Sequence, residues 1–142
     1  MEKVTPIDEE YMFDNLVIVS QTDEKGIITY ANKAFSNVSG YSVDELVGQP
    51  HNIVRHPDMP TTAFAKMWST IKSGQAWNGI VKNLRKDGRY YWVDTEILPI
   101  KDDSDNITGY IAARRAASRK DIVDTEEAYI KMLEAESVEN KG

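Results

Sequence analysis

Three of the chain's five prolines, Pro50, Pro57 and Pro60, lie within eleven residues near the middle of its 142-residue length. Proline removes a backbone donor, fixes φ and pushes its predecessor out of the helical region. No long helix or central strand can therefore cross GQPHNIVRHPDMP (48–60). That stretch divides the chain into two blocks and also carries its only two histidines, His51 and His56, with Arg55 and Asp58 between and beside them.

Each block has its own periodicity. NLVIVSQT (15–22) and GIITYA (26–31) are rich in β-branched residues and flank a DEKG turn, which predicts an antiparallel hairpin. A short helical stretch carrying Phe35 and Val38 follows and breaks at Gly40. Ser42 with Glu45 three residues on reads as a capping box for a second short helix ending at Gly48. Beyond the prolines, Phe64, Met67, Trp68 and Ile71 recur at helical steps in TTAFAKMWSTIKSG (61–74). Thr61 or Thr62 is the expected cap and Gly74 the expected stop. WNGIVKNLRK (77–86), RYYWVDTEILPI (89–100) and ITGYIAARRA (107–116) read as strands. Asp87-Gly88 between the first two suggests a two-residue hairpin. Ser118 opens a terminal helix, expected to fray after Ser137. Two strands, a helical interruption, three strands and a helix define an α+β domain with a mainly antiparallel sheet.

Composition narrows the function. With no cysteine the chain can form neither a disulfide nor a flavin–cysteine adduct. The net charge is -6, and the segment from Asp121 onward carries seven acids and two lysines, so the body is nearly neutral. No basic stripe of the kind nucleic acid demands is present. The N-terminal MEKVTPIDEEYMF lacks an apolar signal region, and no apolar run matches a membrane span. A soluble, cytoplasmic protein is expected. No P-loop, dinucleotide fingerprint or nucleophile–base arrangement appears, which argues against an enzyme.

ITYANKAFSNVSGYSVDELVGQPHNIVRHPDMP, the AFAKMW helix and WNGIVKNLRKDGRYYWV together resemble PAS domains, and most closely the FAD-binding PAS domains of the Aer/CetB type found in energy-taxis signalling. The likeness covers residues 15–116. It implies an N-terminal cap (1–14), a PAS sensor domain (15–117) and a C-terminal amphipathic helix with a frayed tail (118–142). It also implies a five-stranded antiparallel sheet in the spatial order 2-1-5-4-3. In that group the residues matching Asn32, Arg55, His56, Asp58, Phe64 and Trp77 are tied to FAD, and the residue matching Asn83 lies near the flavin ring. The implied role is a redox sensor signalling to a HAMP-containing, chemoreceptor-like partner, with a homodimer as a further expectation.

The residue types suit such a guest. Trp77 and Phe64 offer stacking planes, Arg55 a fork for phosphate, and Asn83 both a donor and an acceptor. Plainer roles compete at several positions. Asn32 can equally be a helix cap, Asp58 can cap the helix from 61, and Trp77 can be core. Trp68 reads as core, and strand parity alone leaves the face of Asn83 open. A metal site from His51, His56 and Asp58 fits no standard spacing. Haem held by His51 or His56, and a cofactor-free dimerisation module, are the rival readings.

Overall fold

The computed structural model describes residues 3–141; the first two residues of the expected N-terminal cap and the last of the expected tail lie outside them. Five strands, β1 (Ile18–Asp23), β2 (Ile28–Ala31), β3 (Trp77–Leu84), β4 (Tyr90–Lys101) and β5 (Ile107–Ala116), form one sheet. The order is β2-β1-β5-β4-β3, and every neighbouring pair is antiparallel. The helices are α1 (Lys33–Ser39), α2 (Val43–Leu46), α3 (Thr61–Lys72) and α4 (Arg119–Lys141), with a 3-10 turn at His51–Val54 inside the proline-rich stretch.

Strand alternation sends Ile18, Ser20, Val81, Asn83, Tyr91, Val93 and Ala112 to one buried face. The core there is closed by Phe35 and Val38 of α1, Leu46 of α2, Val54 of the turn and Ile71 of α3. Ser42 and Glu45 form the expected capping box. That helix stops at Leu46, two residues before the glycine taken as its end.

Two local expectations are corrected. The β3–β4 hairpin is not a two-residue turn. Gly88 N–H donates to Arg85 C=O at 3.0 Å and Arg85 N–H to Arg89 C=O at 2.8 Å, so three residues form the loop. Gly88 sits at φ +95°, where a side chain would also collide with Thr5 C=O. Neither Thr61 nor Thr62 caps α3 as its N-cap residue, a position Pro60 takes without a side-chain bond. Glu136 of α4 takes over the task, accepting from the Thr61 N–H at 3.1 Å, the Thr62 N–H at 3.4 Å and both hydroxyls. A carboxylate at a helix N-terminus satisfies orphan donors and meets the positive end of the dipole.

The termini finish the sheet. The backbone of residues 7–11 pairs with Gly88 and Tyr90. Glu10 and Arg119 form an ion pair there, so the N-terminal segment is tied to the start of α4. Tyr129 of α4 donates to the Ile80 carbonyl on β3. α4 thus spans from the edge strand to α3. The neighbours Tyr91 and Trp92 are both buried because the inner core covers one and α4 covers the other side of the sheet.

Candidate functional site

Between the inner face of the sheet and α3 lies a cavity of about 300 Å³. Its floor comes from alternate strand positions: Ser20, Val81, Asn83, Thr95, Ile97, Tyr110, Ala112 and Arg114. Phe64, Met67, Trp68 and Ile71, the apolar stripe of α3, form one wall. His51, Asn52, Val54 and Arg55 of the proline-rich stretch form another. The prolines hold that stretch irregular, and this lets its polar side chains face inward beside a helix. The volume stands at the small end of ligand cavities.

The charge of the lining is one-sided. Among the described residues Lys25, Arg55 and Arg114 face the cavity and no carboxylate does, although the chain as a whole carries -6. Arg114 is only 5% exposed. Its Nη1 donates to Ser20 Oγ at 3.1 Å and its Nη2 to His51 Nε2 at 2.7 Å. A guanidinium can only donate, so His51 Nε2 must be the unprotonated nitrogen. Ser20 Oγ, 3.2 Å from the same nitrogen, closes the triangle. Burial, and then the Arg114 charge, push the His51 pKa down to about 3, so the ring is neutral. Burial lowers Arg114 to about 10, which leaves it cationic at neutral pH. Phe35 presents its ring 5.4 Å from the Arg114 guanidinium and stacks on His51 at 5.6 Å. Among the described residues, the Thr95 and Tyr91 hydroxyls are buried without a hydrogen-bond partner. Thr95 lines the cavity and is the strand partner of Arg114.

The structure brings three of the seven expected site residues to this cavity. Arg55 lies with its guanidinium 4.1 Å over the Phe64 ring, and among the described residues that guanidinium has no hydrogen-bonded partner. Phe64 lines the wall. Asn83, 5% exposed, faces inward, and its backbone bridges to Arg55. Trp77 shares the parity of Val81 and Asn83, but its indole folds down over Gly79. A β-carbon at Gly79 would stand 2.4 Å from that ring, so glycine provides the space.

Trp77 therefore stays outside the lining, and so do the remaining three, Asn32, His56 and Asp58. Asn32 caps α1: its Oδ1 accepts from Phe35 N–H at 3.0 Å and Val19 N–H at 3.1 Å, and its Nδ2 donates to Val17 C=O at 2.9 Å. His56 is buried edge-on to Tyr90, and its Nδ1 accepts from Asp58 N–H at 3.0 Å. Burial first, then Lys82, lower its pKa. Asp58 pairs with Lys82 at 2.9 Å beside a second, smaller cavity under α4. The two histidines therefore serve different environments, and His51, His56 and Asp58 do not converge.

Arg114 and Ser20 are the residues that sequence reasoning missed, and it weighed His51 only as a metal or haem ligand. A signal existed. In ITGYIAARRA, alternation puts Tyr110, Ala112 and Arg114 on one face, so an apolar inner row ends in an arginine.

A family described as the PAS fold matches residues 28–114. The aerotaxis receptor of Escherichia coli (strain K12) is 48% identical over 116 residues, 82% of this chain and 23% of its own length. The nitrogen fixation regulatory protein of Klebsiella pneumoniae is 34% identical over 102 residues, 72% of this chain and 21% of its own length. The chain thus spans about a fifth of the length of these relatives. Among solved structures, a PAS domain from Colwellia psychrerythraea superposes with a TM-score of 0.67 at 25% identity, covering 72% of this chain and 87% of its own. The light-state LOV structure of the blue-light photoreceptor Aureochrome1 reaches 0.69 at 22% identity, covering 82% and 91%, and it speaks for the fold. Sheet order and these matches agree: the chain belongs to the PAS fold family.

Proposed function

We propose that this domain is a non-enzymatic redox sensor that holds FAD non-covalently in the cavity and passes its oxidation state to a signalling partner. The observation that carries the reading is a lining with an apolar side, three cations and, among the described residues, no acid in an acidic chain. Such a lining favours a planar guest that bears negative charge. The relative named as an aerotaxis receptor supports sensing rather than catalysis.

The residues present fit a flavin nucleotide. Arg55, free to leave the Phe64 face, would fork onto phosphate. Asn83 and Thr95 present hydrogen-bonding groups on the floor and Phe64 supplies aromatic surface in the lining, while Trp77 packs against the adjoining core of Ile97 and Tyr110. His56, Asp58 and Lys82 brace the segment that carries Arg55. Asn32 acts at one remove, by fixing α1. The flavin, when bound, supplies reversible electron transfer, and the protein supplies position and field. The cavity is small, so a flavin nucleotide would not be enclosed whole, and Arg55 at its wall would hold the phosphate-bearing part.

Asn83 sits on β3, whose Ile80 carbonyl receives the Tyr129 hydroxyl of α4. That gives a short physical route from the cavity to the terminal helix, where a HAMP-containing, chemoreceptor-like partner or a second copy would read the change in the cytoplasm. Among the described residues no helix is long and apolar enough to cross a membrane. Haem is the weaker candidate, since His51 Nε2 is already engaged by Arg114.

The test is a binding series with FAD, FMN, riboflavin and haemin. Arg55→Ala is expected to weaken FAD strongly and riboflavin little, and Trp77→Ala to weaken both in a folded domain. Full FAD loading of both variants would remove the assignment, and preferential haemin binding by the wild type would replace it.

A further inference from the structure

The two ends of α3 are held in different ways. Burial deepens along the helix: Thr61 and Thr62 are exposed, Phe64, Met67 and Trp68 are half-buried, and Ile71, near the end, is 1% exposed. The last turn is therefore packed into the core and the first is not. Pro60 brings the first turn no side-chain cap, and the amides and hydroxyls of Thr61 and Thr62 all meet the Glu136 carboxylate instead. First-turn amides have no acceptor within their own helix, so this one carboxylate is what satisfies them. Glu136 belongs to α4, which is fastened to the sheet by the buried Ile122 and by the Tyr129 hydroxyl on the Ile80 carbonyl. α4 thus straps the Phe64 end of α3 to the sheet.

The other walls of the cavity are tied down. Its floor is a sheet with an antiparallel ladder between every neighbouring pair. The proline-rich wall is joined to that floor by the Arg55–Asn83 backbone bridge and by the bond between His51 and Arg114. A cavity of about 300 Å³ lies at the lower bound of small-molecule sites. Enclosing more of a guest requires the Phe64 end of α3 to swing outward about the Ile71 end. That is the motion the Glu136 clasp opposes.

We propose that Glu136 is a positioning residue that sets how large a guest the cavity encloses: the clasp on Thr61 and Thr62 holds the wall in, and a larger guest enters only as the clasp opens. The inference rests on the flavin reading for the class of guest and adds a size limit to it. Glu136 touches no guest and acts through α3. Guest and clasp compete for the position of one helix, so the effect is reciprocal. The factor by which the clasp weakens the guest is the factor by which the guest weakens the clasp.

The experiment is a fluorescence titration of wild type, Glu136→Ala, Glu136→Gln and Glu134→Ala with two uncharged probes, lumiflavin and riboflavin. Riboflavin adds a ribityl chain to the same ring, so the ratio of the two affinities reads size and not charge. Glu134 is an exposed acid on the same helix and serves as the control for net charge. In Glu136→Ala the ratio is expected to shift toward riboflavin by about fivefold or more. Glu136→Gln, which keeps one acceptor oxygen, should fall between, and Glu134→Ala should match the wild type. In the wild type, saturating riboflavin should quicken hydrogen exchange at the Thr61 and Thr62 amides more than lumiflavin does. An unchanged ratio, a shift shared with Glu134→Ala, or equal weakening of both probes, as general loosening would give, overturns the proposal. So do Thr61 and Thr62 amides as well protected with riboflavin as without it. If Glu136→Ala does not fold, the Glu136→Gln ratio and the wild-type exchange rates decide. A wild type that takes up neither probe defeats the flavin reading itself, a result distinct from an unchanged ratio.

Discussion

Replacing Asn32 by alanine separates a structural role from a ligand role at the residue where the two readings diverge most. Its amide makes three hydrogen bonds, to Phe35 N–H, Val19 N–H and Val17 C=O, and so joins the start of α1 to β1. Loss of an N-cap costs about 1 kcal/mol. Leaving the part-buried Val19 N–H without a partner adds roughly 1–2 kcal/mol. The expected loss for Asn32→Ala is therefore about 2–3 kcal/mol, out of a total on the order of 5–15 kcal/mol for a domain. Asn32→Asp keeps the oxygen acceptors and loses only the donor to Val17, so about 1 kcal/mol is expected. Urea unfolding of the ligand-free protein measures both, with the denaturant slope unchanged because the same surface is exposed. Flavin affinity extrapolated to the fully folded population should change little. An Asn32→Ala protein within about 0.5 kcal/mol of wild type that has lost flavin would refute the reasoning and make Asn32 a direct ligand contact.

Other expectations are independent of that one. Gly79→Ala forces the Trp77 indole off the strand, since its β-carbon would stand 2.4 Å from the ring. Tryptophan fluorescence should shift and stability fall by about 1–3 kcal/mol, and an unchanged spectrum would show the indole is not packed there. The depressed His51 pKa, with its ordinary value of 6.5 in the unfolded chain, means the unfolded state binds the extra proton. Stability is therefore full above that ordinary value and falls by about 1.4 kcal/mol for each pH unit below it, and His51→Gln should abolish that part of the slope. By NMR, the His51 ring should not titrate down to about pH 5. Hydrogen bonds from Thr61 and Thr62 hold the Glu136 carboxyl below its usual range. Its clasp is therefore complete above the ordinary glutamate value and lost as pH falls through the lowered one. Hydrogen exchange at the Thr61 and Thr62 amides should quicken in acid in the wild type, and be fast and pH-insensitive, once intrinsic rates are corrected for, in Glu136→Ala.

The sheet was legible because alternation and turn chemistry are local. Ile107–Ala116 agrees with the pattern at both ends. The resemblance added the strand order, which periodicity cannot supply. Capping of α3 was not legible, because its partner Glu136 lies 75 residues away and only the tertiary fold brings it to Thr61. The hairpin at Asp87-Gly88 was misjudged by one residue for a similar reason: the dipeptide suits both turn lengths, and the Arg85–Arg89 pairing decides. At the site, the proline-rich stretch pointed to the right wall, yet its residues divide between two environments. Arg55 faces inward while His56 is packed against Tyr90. A 3-10 turn followed by extended backbone has no single periodicity from which to read that division. Arg114 was hidden by a different habit, since a charged residue near a strand end is ordinarily taken as solvated.

The central claim is that the cavity over the sheet holds a planar, negatively charged guest. The most direct measurement is the absorption spectrum of the purified protein, followed by mass analysis of whatever it releases on denaturation. Flavin bands in the blue and near ultraviolet with FAD released are predicted; a Soret band, or no absorption beyond that of the polypeptide after incubation with FAD, would contradict the account.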